Sequence, residues 1–428
     1  MSFVTGFVKK ARLRLMTTPP HLADLALTYA TADRVEEYFA TVLRGFHDDY
    51  NPEVWGPYQA VFEPERNFGF TVDGRWVSTC GAYTQRMIVP GGAVPVAAVT
   101  LVTVHPAYRR RGLLRQMMTH QLEGVAARGA EPVALLWASE AAIYGRFGYG
   151  ETLSRLRLSG QTRALTLAPG VEPDGSVGEV EREEFLPVAK RLRESWLADR
   201  PGALERSDAW WQIRLHDPEP WRKGSPAYRF VLHFAGNGEP DGYAQFRVKE
   251  EGPDGYAEVV VHSVDAAAGP AYAGLWRFLL GLDLVRSFSW HDASMDEPLR
   301  LLVTDPRAIK AELADGTYAR LVDVPAALTA RRYAAEIDVV IGVADPMLAQ
   351  NHGAFRLQGG PDGAVVNPSL RMPDLSLNVR ELGAIYLGGI SPATLRQAGL
   401  ITEQTPGAVA RVAAAFAWDR LPYCNDYF

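Results

Sequence analysis

The fold of this chain follows from the stretch Val99-Thr-Leu-Val-Thr-Val-His-Pro-Ala-Tyr-Arg109-Arg-Arg-Gly112-Leu-Leu-Arg-Gln-Met-Met118. An apolar β run leads into a loop of three arginines and one glycine, and apolar residues then recur at helical spacing. The first amides of a helix attract anions, and a glycine lets a ligand approach the backbone closely. The stretch therefore predicts a strand, an anion-binding loop and a helix.

Composition places the chain among ordinary globular proteins and bounds its partners. Its 428 residues are 47% apolar and 22% charged, and this length predicts about two to four domains. The formal net charge of −6 gives no basic field for a nucleic acid and suits a cationic substrate better than an anionic one. The two cysteines, Cys80 and Cys424, predict no disulfide framework and fit a cytoplasmic protein.

Further classes of protein are excluded by what the sequence lacks. No apolar run approaches the roughly 20 residues of a membrane span, so no span is predicted. The histidines and cysteines show no ligand spacing, so no metal site is predicted. Residues 1–24 are basic without the apolar region of a secretory signal, and they are predicted to form a basic N-terminal extension.

The pattern around the opening stretch predicts one α/β unit over residues 25–163. An apolar run at 25–29 precedes a helix with an apolar face, and antiparallel strands are expected at 68–72, 76–89 and 94–104. Beyond the predicted helix, strands are expected at 132–138 and 147–158. Residues 47–55 are acidic and aromatic, and they predict a loop or a helical lid.

A second unit is predicted at 179–320, because residues 164–178 are rich in proline and glycine. We expect a helix at 185–198, strands at 229–234, 241–248 and 257–264, a helix at 271–285 and a strand at 299–304. The succession of strand, loop and helix at 257–285 repeats the opening stretch, which indicates an internal duplication. The second loop lacks the arginine cluster, so we do not expect it to hold a pyrophosphate.

A third unit is predicted at 321–428, where the pattern changes to strands followed by helices. Helices are expected from Val324, at 379–386 and at 406–417, with strands at 335–343 and 353–357. No phosphate motif accompanies them, which indicates an α+β domain. An aromatic tail then runs to Phe428.

Sequence blocks in all three units resemble the GNAT acetyltransferase superfamily. The likeness is closer to its enhanced-intracellular-survival (Eis) family of bacterial aminoglycoside and lysine acetyltransferases, and it spans residues 25–428. The blocks that carry it are Arg109-Arg-Arg-Gly-Leu-Leu-Arg115, Ala138-Ser-Glu140, Ile143-Tyr-Gly-Arg-Phe-Gly-Tyr-Gly150, Leu275-Trp-Arg277, Gly281-Leu-Asp283, Val324-Pro-Ala-Ala-Leu328 and Tyr386-Leu-Gly-Gly389.

This resemblance implies a fold, an assembly and a cosubstrate. The implied fold class is α/β (α+β), with tandem GNAT-like domains followed by a sterol-carrier-protein-like α+β domain, and the implied assembly is a homo-hexamer. The implied cosubstrate is acetyl-CoA. The residues at the matching positions would bind it: Val102, Thr103, Val104, Arg109, Arg110, Gly112, Leu113 and Leu114, with Ser139 beside the pantetheine arm.

Direct acetyl transfer requires an amine that has lost its proton. An alkyl ammonium has an ordinary pKa of about 10.4, so a base must act or water must relay the proton. In the Eis family the carboxylate of a C-terminal phenylalanine is the proposed base, and a tyrosine protonates the departing thiolate. The matching residues here are Phe428 and Tyr144. A phenol, with an ordinary pKa of about 10, is an acceptable acid for a thiolate of similar basicity.

The predicted lid and the tail supply candidate groups for binding a small cationic amine. Carboxylates pair with ammonium groups, and aromatic faces attract cations. The candidates are Asp48, Asp49, Trp55 and Asp426. The family often has an acidic residue before the terminal phenylalanine, whereas this chain has Tyr427, so we expect a different preference among aminoglycosides.

The sequence leaves three activities open. The first is N-acetylation of primary amines on aminoglycosides or similar polycationic amines. The second is acetylation of protein lysines or polyamines, because the same base, acid and cosubstrate serve any primary amine. The third is a non-catalytic acyl-CoA- or lipid-binding sensor, and the presence of Tyr144 favours catalysis over it.

Overall fold

The computed structural model describes residues 25–222, 224–251 and 255–428, and the predicted basic extension 1–24 lies outside them. The described residues form three β-sheets. The elements up to residue 151 are β1 (Ala26–Tyr29), α1 (Val35–Gly45), α2 (Pro52–Trp55), β2 (Phe68–Val72), β3 (Arg75–Trp76), β4 (Ser78–Val89), β5 (Gly92–Val104), α3 (Leu113–Arg128), β6 (Val133–Trp137), α4 (Ala141–Tyr144) and β7 (Gly150–Glu151).

The middle of the chain, from residue 154 to 315, forms the second sheet and its helices. Its elements are β8 (Ser154–Gln161), β9 (Ser176–Val180), α5 (Arg182–Leu197), α6 (Asp208–Arg214), α7 (Glu219–Arg222), β10 (Arg229–Phe234), β11 (Pro240–Glu251), β12 (Tyr256–Ala266), α8 (Gly269–Leu280), β13 (Val285–Ala293), α9 (Leu299–Leu302) and β14 (Ile309–Asp315).

The remaining elements begin at residue 317. They are β15 (Thr317–Leu321), α10 (Val324–Thr329), β16 (Ile337–Ala344), β17 (Gly353–Gly360), β18 (Gly363–Ser369), β19 (Leu375–Asn378), α11 (Val379–Ile385), α12 (Pro392–Gln397), β20 (Ile401–Glu403) and α13 (Ala408–Phe416). Strands β16 to β20 form the third sheet, in the order β18-β17-β16-β19-β20.

The first two sheets repeat one arrangement, which confirms the predicted duplication. In the first sheet, ordered β1-β2-β4-β5-β6-β15-β7, the parallel pair β5 and β6 is connected through α3. In the second, ordered β14-β8-β13-β12-β11-β10-β9, the parallel pair β12 and β13 is connected through α8. The helix connects two parallel neighbours, as a parallel pair requires.

Two strands cross between the sheets. β8 follows β7 directly along the chain but pairs with β13 and β14 of the second sheet. β15 comes after the second sheet but inserts between β6 and β7 of the first. The domain bounds 25–163, 179–320 and 321–428 stay predictions, and sheet membership cuts across the first two of them.

Both faces of the first sheet are covered. Successive side chains of β6 pack alternately into two different apolar clusters. Val133 and Leu135 pack in one cluster with residues of the third domain, such as Leu382. Ala134 and Leu136 pack in another cluster with the apolar face of α3. Successive strand residues face opposite sides of a sheet, so the third domain forms one wall of the first sheet's core.

Three predicted elements are wrong in extent or type. The strand expected at 147–158 is divided into β7 and β8, because Gly150 lies tightly against α11 and the chain then changes sheets. The helix expected at 271–285 ends at Leu280, where the amide of Gly281 bonds back to Arg277 and Phe278, and β13 follows. The strand expected at 299–304 is the short helix α9.

Candidate active site

An open strand edge lies at the centre of the first sheet. β5 pairs with β6 from Val96 to Val99, whereas its pairing with β4 continues to Val104. Leu101 has a φ of 57° where the register between β4 and β5 shifts. Residues 102–104 therefore keep one neighbouring strand, and their other edge can bond an extended ligand as a strand would.

The backbone of Thr103, rather than its side chain, is available at this edge. Its hydroxyl lies 2.7 Å from that of Thr79 and is buried. The side chain also presses against Gly45, where a Cβ would lie 2.6 Å from the Cβ of Thr103. Gly45 therefore allows α1 to approach β5, and Thr103 is anchored on the side away from solvent.

The arginine loop leads from this edge into α3. Arg109 and Arg110 are exposed, and the Arg109 Nε donates to the carbonyl of Val104 at 3.2 Å. Arg110 and Gly112 have φ values of 61° and 83°, a left-handed backbone in which successive amides form an anion-binding concavity. Leu113 is 1% exposed and anchors the start of the helix in the core. The predicted strand, loop and helix are confirmed.

Ser139 and Tyr144 follow the carboxyl end of β6. Ser139 is exposed two residues beyond the strand, and Tyr144 ends the short helix α4 with 6% of its surface exposed. Burial, with smaller contributions from Cys80 and Glu140, raises the pKa of Tyr144 to about 12. The phenol is therefore protonated at neutral pH, and within the described part of the chain its hydroxyl makes no hydrogen bond.

The tail carries the last residues of the third domain to the open edge of β5. The indole Nε1 of Trp137 donates to the carbonyl oxygen of Asp426 at 2.8 Å. The hydroxyl of Thr100 on β5 donates to the backbone oxygen of Phe428 at 3.0 Å. In a chain that ends at Phe428, this oxygen is one of the two carboxylate oxygens. The structure thus brings Phe428 to the strand edge that Val102 to Val104 continue.

Asp426, predicted to bind substrate, is engaged by two arginines of the second domain. Its carboxylate lies 2.7 Å from Arg193 and 2.5 Å from Arg206. Burial would raise the pKa of Asp426, but the two guanidinium groups outweigh it and hold the pKa below its usual value. The carboxylate is only 11% exposed. This geometry weighs against Asp426 as a contact for a cationic amine and favours a role in docking the tail.

The predicted lid residues lie apart from the tail. Asp48 and Asp49 are exposed in the turn after α1. Trp55, at the end of α2, is half-buried in an aromatic cluster, with its ring 5.2 Å from Tyr58 and 5.6 Å from Trp221 of α7. Trp55 is therefore packed against the second domain, and no hydrogen bond, ion pair or ring contact in the described residues joins these three side chains to Phe428.

A cavity beside the tail contains groups that the sequence analysis did not select. It is lined by Gln85, Leu204, Glu205, Arg206, Trp210, Ile213, Arg214, Asp426, Tyr427 and Phe428. Glu205 lies 3.1 Å from Arg86 and is 43% exposed, so its carboxylate remains accessible to a cationic ligand. Glu205 lies here because residues 202–205 pair with β4. No local sequence pattern predicts that pairing.

The described residues contain no group of three or more histidine, cysteine, aspartate or glutamate side chains placed to hold a metal ion. None of the helices in the described ranges is long and apolar enough to cross a membrane.

Comparison with known families divides the chain into three parts. Residues 26–152 and residues 202–321 each match a family described as an acetyltransferase (GNAT) domain. Residues 324–425 match a family described as a sterol carrier protein domain. These matches agree with the predicted fold class.

Individual relatives cover most of the chain. An uncharacterised N-acetyltransferase of Streptomyces coelicolor is 40% identical over 92% of this chain and 97% of its own length. The N-acetyltransferase Eis of Mycobacterium tuberculosis is 34% identical over 78% of this chain and 81% of its own. The crystal structure of Eis1 from Mycobacterium abscessus superposes with a TM-score of 0.80 and 32% identity, over 94% of this chain and 100% of that one.

Proposed function

Because this chain belongs to the Eis family of GNAT N-acetyltransferases, we propose that it acetylates primary amines of aminoglycosides or similar polycationic amines. The observation that carries the proposal is the hydrogen bond from Thr100 to the backbone oxygen of Phe428. It joins the last residue of the third domain to the cosubstrate edge of the first.

The open edge of β5 and the arginine loop fit acetyl-CoA. The backbone of Val102 to Val104 would bond its extended arm, with Ser139 alongside. Arg109, Arg110 and the amides from Gly112 to Leu114 at the start of α3 would hold its pyrophosphate. When bound, acetyl-CoA supplies an acetyl group activated as a thioester.

Phe428 and Tyr144 supply the two proton transfers. The carboxylate of Phe428 takes a proton from the ammonium group of the acceptor, so that the free amine can attack the thioester carbonyl and form the new amide bond. The phenol of Tyr144 gives its proton to the sulfur as the carbon–sulfur bond breaks. The hydroxyl is protonated at neutral pH, as a proton donor must be.

The charges near the tail indicate which kind of acceptor the site would bind. The net charge of −6 and the accessible carboxylate of Glu205 in the tail cavity favour a cationic amine. Asp48, Asp49 and Trp55 remain proposed contacts for the distal part of a large acceptor. The GNAT matches favour an enzyme over a non-catalytic sensor.

Two experiments test the function. Purified protein is incubated with acetyl-CoA and a panel of aminoglycosides, polyamines and lysine peptides, and free CoA is detected with a thiol reagent. We expect CoA release with aminoglycosides; release with lysine peptides alone would favour the protein-lysine alternative. Adding one residue after Phe428 should lower turnover strongly while acetyl-CoA still binds, and full activity in that variant would rule out the carboxylate as base.

The expected assembly and location belong to the same proposal. Light scattering coupled to gel filtration distinguishes the proposed homo-hexamer from a monomer, and cell fractionation tests the proposed cytoplasmic location. A monomer with full turnover would show that the reaction does not require the hexamer.

A further inference from the structure

Four side chains from separate parts of the chain meet around the penultimate residue. The rings of Trp137 and Tyr427 are stacked, with centroids 4.5 Å apart and 24° between their planes. The guanidinium of Arg155, on β8, lies 5.1 Å from the ring centroid of Trp137 and 5.7 Å from that of Tyr427. Asp292, on β13, bonds Arg155 and also accepts a hydrogen bond from the Tyr427 hydroxyl at 2.7 Å. We call these four residues the tail clasp.

The tail clasp differs from an ordinary surface ion pair. The side chains of Arg155 and Asp292 are 14% and 21% exposed, so their interaction is less screened than that of exposed pairs. The guanidinium also donates to the Tyr427 hydroxyl, and it contacts two aromatic faces, which adds a cation–π attraction. The Tyr427 ring is thereby fixed at its face and at its hydroxyl.

Fixing Tyr427 also fixes its neighbours. The carbonyl oxygen of Asp426 is held by Trp137, and the backbone oxygen of Phe428 is held by Thr100. Trp137 belongs to β6 of the first sheet, whereas Arg155 and Asp292 belong to the second sheet. The last three residues are therefore held by groups from both sheets.

We propose that Arg155 and Asp292 are positioning residues for the acetyl transfer. They hold Tyr427 against Trp137 and so keep the carboxylate of Phe428 where it can take a proton from the acceptor amine. This inference rests on the proposed function of Phe428. The second sheet, which lacks an arginine loop, would thereby contribute two positioning residues to the reaction. A misplaced catalytic group costs on the order of 10²-fold in rate per ångström.

The first test compares two arginines on the same strand. Arg155→Gln removes the clasp cation, whereas Arg157→Gln removes a 46% exposed arginine two residues along β8 that pairs with Glu312 at 3.5 Å. We expect Arg155→Gln to lower kcat at least about tenfold, with the KM for acetyl-CoA changed less than about twofold. Arg157→Gln should change neither constant, and equal effects of the two variants would overturn the proposal.

The second test asks whether Arg155 acts through Phe428. Deleting Phe428 removes the positioned carboxylate, so Arg155→Gln should lower kcat in the full-length protein but not in the shortened one. A further tenfold loss in the shortened protein would show that Arg155 acts by another route, such as general stability. If deletion of Phe428 alone leaves kcat intact, the proposed base fails; if deletion lowers kcat and Arg155→Gln does not, only the clasp fails.

The third test keeps the proposal falsifiable if Arg155→Gln does not fold. Tyr427 is 47% exposed, so its substitution leaves the core intact. Tyr427→Ala should lower kcat at least about tenfold, and Tyr427→Phe, which keeps the ring stack and loses the bond to Asp292, should fall between it and the unsubstituted protein. Unchanged kcat in Tyr427→Ala would overturn the proposal.

Discussion

At the scale of single residues, the surroundings of Tyr144 keep its hydroxyl protonated. Its ring is buried with 6% of its surface exposed, and its pKa is raised to about 12. The deprotonated phenolate would lose hydration in this environment, so the neutral phenol is favoured. The same burial keeps the donated proton available throughout the working pH range.

We therefore predict that Tyr144→Phe lowers kcat by roughly 10² to 10⁴-fold, the usual contribution of a general acid. The ring and its packing remain, so the KM for acetyl-CoA should change little. Steady-state assays of CoA release check both constants. A variant with kcat within about threefold of the unsubstituted protein would show that another group protonates the thiolate.

The raised pKa of Tyr144 also predicts the alkaline side of the pH profile. A group whose pKa is about 12 stays protonated below that pH. The acid should therefore cause no decline of kcat between about pH 8 and pH 10. A plot of log kcat against pH checks this, and a decline that disappears in Tyr144→Phe would contradict it.

Single residues differ in how far the sequence could predict their surroundings. The arginine loop was predictable because its strand, glycine and helix are contiguous. The partners of Asp426 were not, because Arg193 and Arg206 lie 233 and 220 residues earlier in the chain. An acidic side chain near the terminus looks the same in the sequence whether it faces a ligand or two buried guanidinium groups.

At the scale of elements, the start of α3 is the proposed site for the pyrophosphate of acetyl-CoA, and the contributions of its parts can be separated. Arg109 and Arg110 carry the side-chain charge, and the helix amides carry the backbone part. Arg109→Gln and Arg110→Gln should each raise the KM for acetyl-CoA by roughly tenfold, about 1.4 kcal/mol, with a smaller change in kcat.

A control at the opposite end of α3 tests whether the site is local. Arg128 is the last residue of the helix and lies 3.5 Å from Glu131. Arg128→Gln removes the same charge from the protein but should leave the KM for acetyl-CoA unchanged. If all three variants raise the KM for acetyl-CoA equally, the overall positive charge of α3, and not the loop, would explain the binding.

Elements with a strong local pattern were predicted well, and those defined by distant partners were not. The strand Arg229–Phe234 was predicted to the residue, since its apolar run is bounded by turns. The predicted helix runs on to Val285 because residues 279–285 remain largely apolar, and no strand is predicted over the rest of β13. β13 exists as a strand because β12 and β8 flank it, and neither partner is visible in its own sequence.

At the scale of the whole molecule, one buried ion pair joins the first sheet to the third domain. Arg320 of β15 and Asp345, which follows β16, lie 2.6 Å apart with both side chains fully buried. Arg320 also donates to the carbonyl of Phe147, and Asn351 donates to Asp345. Burial would raise the pKa of Asp345, but Arg320, the Met347 amide and Asn351 together hold the pKa below its usual value.

We predict that Asp345→Asn lowers the free energy of unfolding by about 3–5 kcal/mol, because it leaves the buried charge of Arg320 unpaired. Urea denaturation measures the change. The matched control is Asp338→Asn, which breaks an ion pair with Arg356 whose side chains are 39% and 49% exposed, and it should cost less than about 1 kcal/mol. Equal losses would mean that burial does not set the strength of the Arg320–Asp345 pair.

The Arg320–Asp345 pair also predicts how the free energy of unfolding depends on pH. The pKa of Asp345 is lower in the folded protein than the unfolded value of about 3.9. Its contribution is therefore complete above that unfolded value and disappears as the pH falls through the folded pKa. Below about pH 4 the unsubstituted protein should lose stability faster than Asp345→Asn does, which urea denaturation at several pH values can measure.

The crossing of β8 and β15 between the sheets has a consequence for the order of synthesis. Domains usually fold one after another as they leave the ribosome, but the first sheet needs β15 between β6 and β7. Until residue 321 has emerged, β6 keeps an unpaired edge, and such edges invite aggregation. The first sheet is therefore completed only after the second sheet has been translated, and we expect slower translation and chaperones to raise the yield of folded protein.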